Sequence, residues 1–139
     1  MSDYVVVDAS LWVARLVEGD VFHALSRIWL KAQRDAGTRF LAPALLLVEV
    51  AAAIARPTAS PELARRAVAT LESLPDLRLV DMDQALVQTA IEVAADLGMR
   101  GADAFYIAVA RQLNVPLATL DADQRARAAA VVSVREIEP

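Results

Sequence analysis

The chain of 139 residues contains no cysteine, a single histidine and a single lysine, and each shortage removes a class of chemistry. Without cysteine there is no disulfide, no thiolate nucleophile and no cysteine-ligated zinc site. With His23 as the sole imidazole, a Ser-His-Asp relay has one conceivable centre. No acid stands at an obvious spacing to it, so His23 reads as a helix-surface or packing residue. Long apolar runs are missing too: charge interrupts them at Glu49 and Arg56, and none approaches the roughly 20 residues that a bilayer crossing needs. The amino terminus, MSDYVVVD, carries an acid where a secretory signal carries positive charge. The expectation is a cytoplasmic protein with no membrane partner.

What is present points to a helix-rich globule, since much of the 57% hydrophobic content is alanine and leucine. The length suits one domain, residues 1–139, with room for a full core. A net charge of -4 ordinarily argues against a nucleic-acid partner. The total conceals the distribution, because every basic residue except Lys31 is arginine, the side chain suited to bidentate phosphate contacts. Acids gathered into one site would leave RNA open as a partner.

Strands and helices alternate along the chain. YVVV, residues 4–7, reads as a buried parallel strand ending at Asp8. Ser10 is placed to cap LWVARL, and a second helical stretch, VFHALSRIWLKAQRDAG, ends at Gly37. RFLA, residues 39–42, is a second strand, with Pro43 fitting the first turn of the helix ALLLVEVAAAIAR. Ser60, Pro61 and Glu62 start the amphipathic PELARRAVATLESL, whose Arg65 and Arg66 fall on its wet side. LRLV, residues 77–80, is a third strand, and Asp83 caps QALVQTAIEVAADLG, closed by Gly98. A buried helix runs from Ala102 to near Asn114; VPLATLD supplies a fourth strand, a short arginine-bearing helix follows, and VVSVREI reads as a last edge strand. The order predicts a three-layer α/β/α domain with a mostly parallel sheet of four or five strands.

Four acids sit where a charge needs a reason. Asp103 is the lone acid in a helix, RGADAFYIAVA, that is otherwise apolar on every side after its first residue. The plain alternative is a first-turn acid touching solvent, stabilised by the helix dipole. Glu49 is the only charge between Phe40 and Ala55, and either faces a cleft or pairs with Arg56. Asp8 and Asp121 each end an apolar strand, at the sheet edge where open α/β folds bind ligands. Two carboxylates about 4 Å apart repel by roughly 4 kcal/mol at an effective dielectric of 20, so a cluster of four calls for a cation. Oxygen ligands without cysteine or a nearby histidine select a hard ion, Mg2+ or Mn2+. Such an ion acidifies a bound water and stabilises the leaving oxygen of a phosphodiester, and a second would clamp both ends of an in-line displacement.

VVDAS at 6–10, LLVEVAAAIAR at 46–56, GADAFYIAVA at 101–110 and ATLDAD at 118–123 together resemble the PIN-domain ribonucleases, in particular the VapC-type toxins of toxin-antitoxin pairs. Each motif is one acid in apolar surroundings; specificity comes from the four in order across nearly the whole chain. The resemblance implies a flavodoxin-like fold and metal-dependent endonucleolytic cleavage of RNA. It makes Asp8, Glu49 and Asp103 the core catalytic and metal-binding acids, Asp121 the fourth and Asp123 an accessory. Ser10 and Thr119 match small hydroxyl positions near the metal, and either is equally accounted for as a cap or strand-end residue. The family further implies a cognate antitoxin that blocks the acidic site with a basic side chain, and a homodimer.

Other readings are poorer fits. A receiver domain or haloacid-type phosphatase also ends a strand in aspartate, but needs a lysine late in the fold, and Lys31 lies in an early helix. An RNase H-like nuclease opens with antiparallel strands, whereas helices follow Asp8. The remaining alternative is a catalytically silent PIN-like domain serving as an RNA- or protein-binding module, against which stand acids at all four positions.

Overall fold

The computed structural model describes residues 3–138. Its sheet has four strands, β1 (Asp3–Val7), β2 (Thr38–Pro43), β3 (Leu77–Val80) and β4 (Leu117–Ala118), in the order β3-β2-β1-β4. All neighbouring pairs are parallel. Val5, Val6 and Val7 have no exposed surface. An unbroken valine run is what a central parallel strand requires, since both its faces lie under helices.

Between β1 and β2 come α1 (Ala9–Leu16) and α2 (His23–Asp35), and between β2 and β3 come α3 (Leu45–Thr58) and α4 (Pro61–Glu72). The return to β4 passes through α5 (Gln84–Leu97) and α6 (Gly101–Leu113), and α7 (Ala122–Ala128) follows the last strand. Right-handed crossovers put α1 to α4 on one face and α5 with α6 on the other. The packing agrees, with α1 against α2 and α3, α3 against α4, and α5 against α6, which also crosses β1, β2 and β4. The three-layer arrangement expected from the sequence is therefore the one observed. No helix is long and apolar enough to cross a membrane among the described residues.

Local signals explain most boundaries. Ser60 and Asp83 accept the backbone N–H of Leu63 and Leu86 as N-caps, while Gly98 and Asn114 close α5 and α6 in the left-handed conformation. His23 packs, as its surroundings suggest: Nδ1 lies 2.9 Å from the Ala14 carbonyl, tying α2 to α1. Two starts differ from expectation. Pro43 ends β2, and Ala44 begins the turn into α3. Ser10 lies inside α1, whose N-cap position belongs to Asp8, because the serine hydroxyl is engaged by Asp8 itself.

The carboxyl-terminal strand is reduced to a single parallel bridge between Leu117 and Val134. β4 offers only two residues, since the chain turns away at Thr119 toward α7, and a longer ladder has nothing to pair with. The tail is held by side chains instead. Trp29 Nε1 donates to the Glu136 carbonyl, and Arg135 forms a two-pronged ion pair with Asp3 at 2.9 and 3.0 Å.

That pair gives a pH dependence. The Arg135 guanidinium, helped by the Thr38 hydroxyl and opposed by partial burial, holds the Asp3 carboxyl below its usual range. A depressed folded-state pKa stabilises above the unfolded value near 3.8 and is lost as pH falls through the folded value. Asp3→Asn should lower the melting temperature modestly at pH 7, since the acid is half exposed, and the difference should shrink as pH falls below 3.8 and through the lowered folded-state value. A difference that persists undiminished in strong acid would show that the ion pair is not its source.

Candidate active site

The strand order locates a crevice before any side chain is considered. From β1 the chain moves one way to β2 and β3, then returns to place β4 on the opposite side of β1. Ligands of open parallel sheets bind outside the carboxyl ends of strands at such a reversal. Asp8 immediately follows β1 and Thr119 immediately follows β4, so the two meet there.

Asp8 is 4% exposed, and both of its oxygens are taken by hydroxyls. Ser10 Oγ donates to Oδ1 at 2.6 Å and Thr119 Oγ1 to Oδ2 at 2.8 Å. Further bonds fix those hydroxyls in turn: Ser10 Oγ accepts the Leu120 N–H, and Thr119 Oγ1 accepts the Asp121 N–H. Burial pushes the Asp8 carboxyl up to about 6; the hydroxyl bonds pull it down, and the nearby charges of Asp103 and Glu49 push it further up. Asp8 has no cationic partner among the described residues.

Glu49 lies one turn into α3 and is half buried. Its partner is not Arg56 but Tyr106 of α6, whose hydroxyl donates to Oε1 at 2.6 Å. Burial raises the Glu49 carboxyl above its usual range, the Tyr106 bond lowers it, and the charge of Asp103 raises it again. Tyr106 in turn is held far up by burial and by the carboxylate it serves, so it remains a donor at any physiological pH. Tyr106→Phe removes the interaction that lowers Glu49. The Glu49 carboxyl should therefore titrate at higher pH in the variant, as followed by carboxyl NMR, with a stability loss of about 1.5–3 kcal/mol. An unmoved titration would mean that the phenol does not hold this carboxylate.

Asp103 is in the first turn of α6, where the helix dipole favours an anion, and its side chain is 20% exposed. It pairs with Arg100, Nε to Oδ2 at 3.1 Å, an arginine itself 82% exposed. Asp121 is the N-cap of α7, accepting the Gln124 N–H at 3.1 Å. Asp123 is exposed and paired with Arg127 at 2.9 Å.

Two open clefts lie at this edge of the sheet, and Asp8 itself lines neither. One contains Asp103, Asp121, Asp123, Arg100 and Arg127; the other contains Ser10, Glu49, Phe22 and again Asp121. Asp121 therefore stands on the rim between them. Asp8, Glu49 and Asp103 feel one another's charge. Even so, no group of three or more acidic, histidine or cysteine side chains is drawn together as a metal cage among the described residues. Each carboxylate is engaged by a protein donor: hydroxyls, a phenol, a guanidinium or a backbone N–H. The donor set is oxygen only, as a hard divalent cation requires, and rotation of Glu49 and Asp103 off their partners is what a closed arrangement would need.

Two residues not singled out from the sequence belong to this site. Tyr106 stands three positions after Asp103, one turn along the same helix, and a hydroxyl in so apolar a segment was the available signal. Gln124 is 2% exposed at the start of α7. It occupies the fourth position of an Asp-x-x-Gln capping pattern, which marks a helix start without indicating that the side chain points inward.

The PIN domain family model matches residues 5–130. No curated protein matches in sequence. Among solved structures, the chain is similar to Mycobacterium tuberculosis VapC20, a sarcin-ricin loop cleaving toxin, at TM-score 0.76 and 23% identity over 94% of this chain and 98% of that one. It is also similar to VapBC2 from Rickettsia felis bound to a fragment of promoter DNA, with TM-score 0.73, 10% identity and coverage of 97% and 99%. DNA-bound VapBC from Salmonella typhimurium gives TM-score 0.71 and 14% identity over 99% and 100%.

Proposed function

The chain belongs to the PIN-domain family, and from that membership we propose that it is a divalent-metal-dependent endoribonuclease, the toxin of a toxin-antitoxin pair. The observation that carries this reading is Asp8: a buried carboxylate without a cationic partner, at the sheet's reversal point, within electrostatic reach of Glu49 and Asp103. An uncompensated buried charge costs several kcal/mol, which a fold tolerates where a cation is to be bound.

Asp8, Glu49 and Asp103 would hold Mg2+ or Mn2+, with Asp121 at the rim. When bound, the ion supplies charge neutralisation at the scissile phosphate and a more acidic water. The protein's own part is positional. Ser10 and Thr119 clamp both oxygens of Asp8, and Tyr106 orients Glu49. Both hydroxyls serve to hold Asp8, and His23 is spent on the Ala14 carbonyl, so no histidine-activated nucleophile faces the crevice among the described residues. Family membership implies water as the attacking group, without a covalent enzyme intermediate, and products that carry a 5'-phosphate. Asp123 would act as an accessory acid. RNA is the substrate, an antitoxin the regulatory partner, a homodimer the working assembly and the cytoplasm the compartment.

The test is cleavage of total RNA with Mg2+ or Mn2+, with and without excess chelator, and analysis of the new ends. Metal-dependent cuts bearing 5'-phosphates are expected. Cleavage that survives saturating chelator would replace this chemistry by metal-independent acid-base catalysis. Intact RNA under every metal condition would favour the silent binding module.

A further inference from the structure

Thr119 Oγ1 is asked for more than it has. It lies 2.8 Å from Asp8 Oδ2 and 3.2 Å from Gln124 Oε1, and both oxygens can only accept, yet a hydroxyl has a single proton. The Asp121 N–H already occupies one of its lone pairs at 3.1 Å. Meanwhile Gln124 Nε2 is buried with no hydrogen-bond partner among the described residues. A buried amide N–H left unpaired is the costlier of the two errors, about 1–3 kcal/mol, and orphan N–H groups are rarer than under-satisfied carbonyls.

A half-turn of the Gln124 amide removes both conflicts and leaves the carbonyl Oε1, rather than an N–H, as the unpaired atom, which is the lesser cost. Nε2 then donates to the free lone pair of Thr119 Oγ1, and the hydroxyl's only proton is committed to Asp8. We propose that Gln124 is a positioning residue: its buried amide donates to Thr119, which donates to Asp8, so that α7 fixes the orientation of the central carboxylate for metal binding. The inference rests on the metal-binding reading of Asp8. Groups that hold a ligand carboxylate typically contribute 10- to 100-fold in metal affinity.

The chain makes physical sense of a polar residue at a fully buried position. Leucine would fill similar space at the start of α7 without an unmatched polar atom, so packing alone does not call for glutamine. Through Thr119 the amide has a job that leucine cannot do. Gln124→Leu should therefore fold normally and melt at or above the parent, while losing about tenfold or more in Mg2+ or Mn2+ affinity.

Two measurements decide it. In the metal-free protein, NMR should show the Gln124 side-chain amide protons protected from exchange and shifted when Thr119 is changed to Val. Unprotected amide protons indifferent to Thr119→Val would overturn the relay. Calorimetric titration with Mn2+ should then show the loss of affinity in Gln124→Leu, and no further loss when that change is added to Thr119→Val. Equal affinity in parent and Gln124→Leu, or additive losses in the double variant, would overturn the positioning role. A parent that binds no Mn2+ would instead remove the nuclease reading itself and the positioning role with it, an outcome visible before any variant is made.

Discussion

Asp8→Asn should silence RNA cleavage and, in chelator at pH 7 to 8, raise the melting temperature above that of the parent. The first effect follows from losing the central anion; removal of a group used in the transition state commonly costs about 10³-fold or more. The second follows from burial, which lifts the Asp8 carboxyl from 3.8 to about 6. A raised acid pKa means that the folded state holds the proton more tightly than the unfolded chain. Stability is then greatest below pH 3.8, declines as pH rises toward 6, and carries the whole penalty above it. Two units correspond to roughly 3 kcal/mol at 1.36 kcal/mol per unit. Asparagine cannot ionise, and its carbonyl still accepts from one of the two hydroxyls. The advantage of the variant should shrink as pH falls and be gone near pH 4. A variant that melts below the parent at pH 8 in chelator would mean that the Asp8 charge is satisfied by the protein alone.

Asp103→Asn should abolish cleavage as completely, but with a different stability signature. Among the described residues its only cationic partner is Arg100, whose side chain is largely in solvent, so breaking the pair should cost within about 1 kcal/mol. A buried ion pair would have cost about 3–5 kcal/mol, and the exposure of Arg100 argues against one here. Mg2+ should raise the melting temperature of the parent more than that of the variant, because a ligand bound to the folded state alone adds RT ln(1 + [L]/Kd) to stability. Melts of both proteins in chelator and in Mg2+ provide the check. A variant that unfolds far below the parent in chelator would make Asp103 a structural residue and remove it from the site.

Much of this was legible in the chain because the physics involved is local. A strand that ends in three consecutive valines suits a central parallel position, and Ser60, Asp83, Gly98 and Asn114 mark helix ends by their own conformational preferences. The acids stood out for the same reason: Glu49 and Asp103 interrupt segments that burial would otherwise make wholly apolar. What stayed hidden depends on contacts distant in sequence. Nothing near Glu49 announces that its partner is Tyr106, and nothing near Thr119 announces Asp8, since each pair is joined only when α6 and β4 pack beside β1. The last strand failed for a related reason: VVSVREI has the pattern of a strand, but the two residues of β4 give it almost no ladder to join. Ser10 was ambiguous because a serine before an apolar run suits a helix cap and a carboxylate clamp equally, and only the position of Asp8 decides between them.

The central claim is that Asp8, Glu49 and Asp103 hold a divalent cation where β1 and β4 end. Mn2+ titrated into isotope-labelled protein reports this directly, since the paramagnetic ion broadens resonances near its site. Signals from residues 8–10, 49, 103–106 and 119–121 should broaden first and together, and Asp8→Asn should abolish the effect. Broadening first at exposed acids far from the crevice, such as Asp35 or Glu72, or at no discrete place, would contradict it.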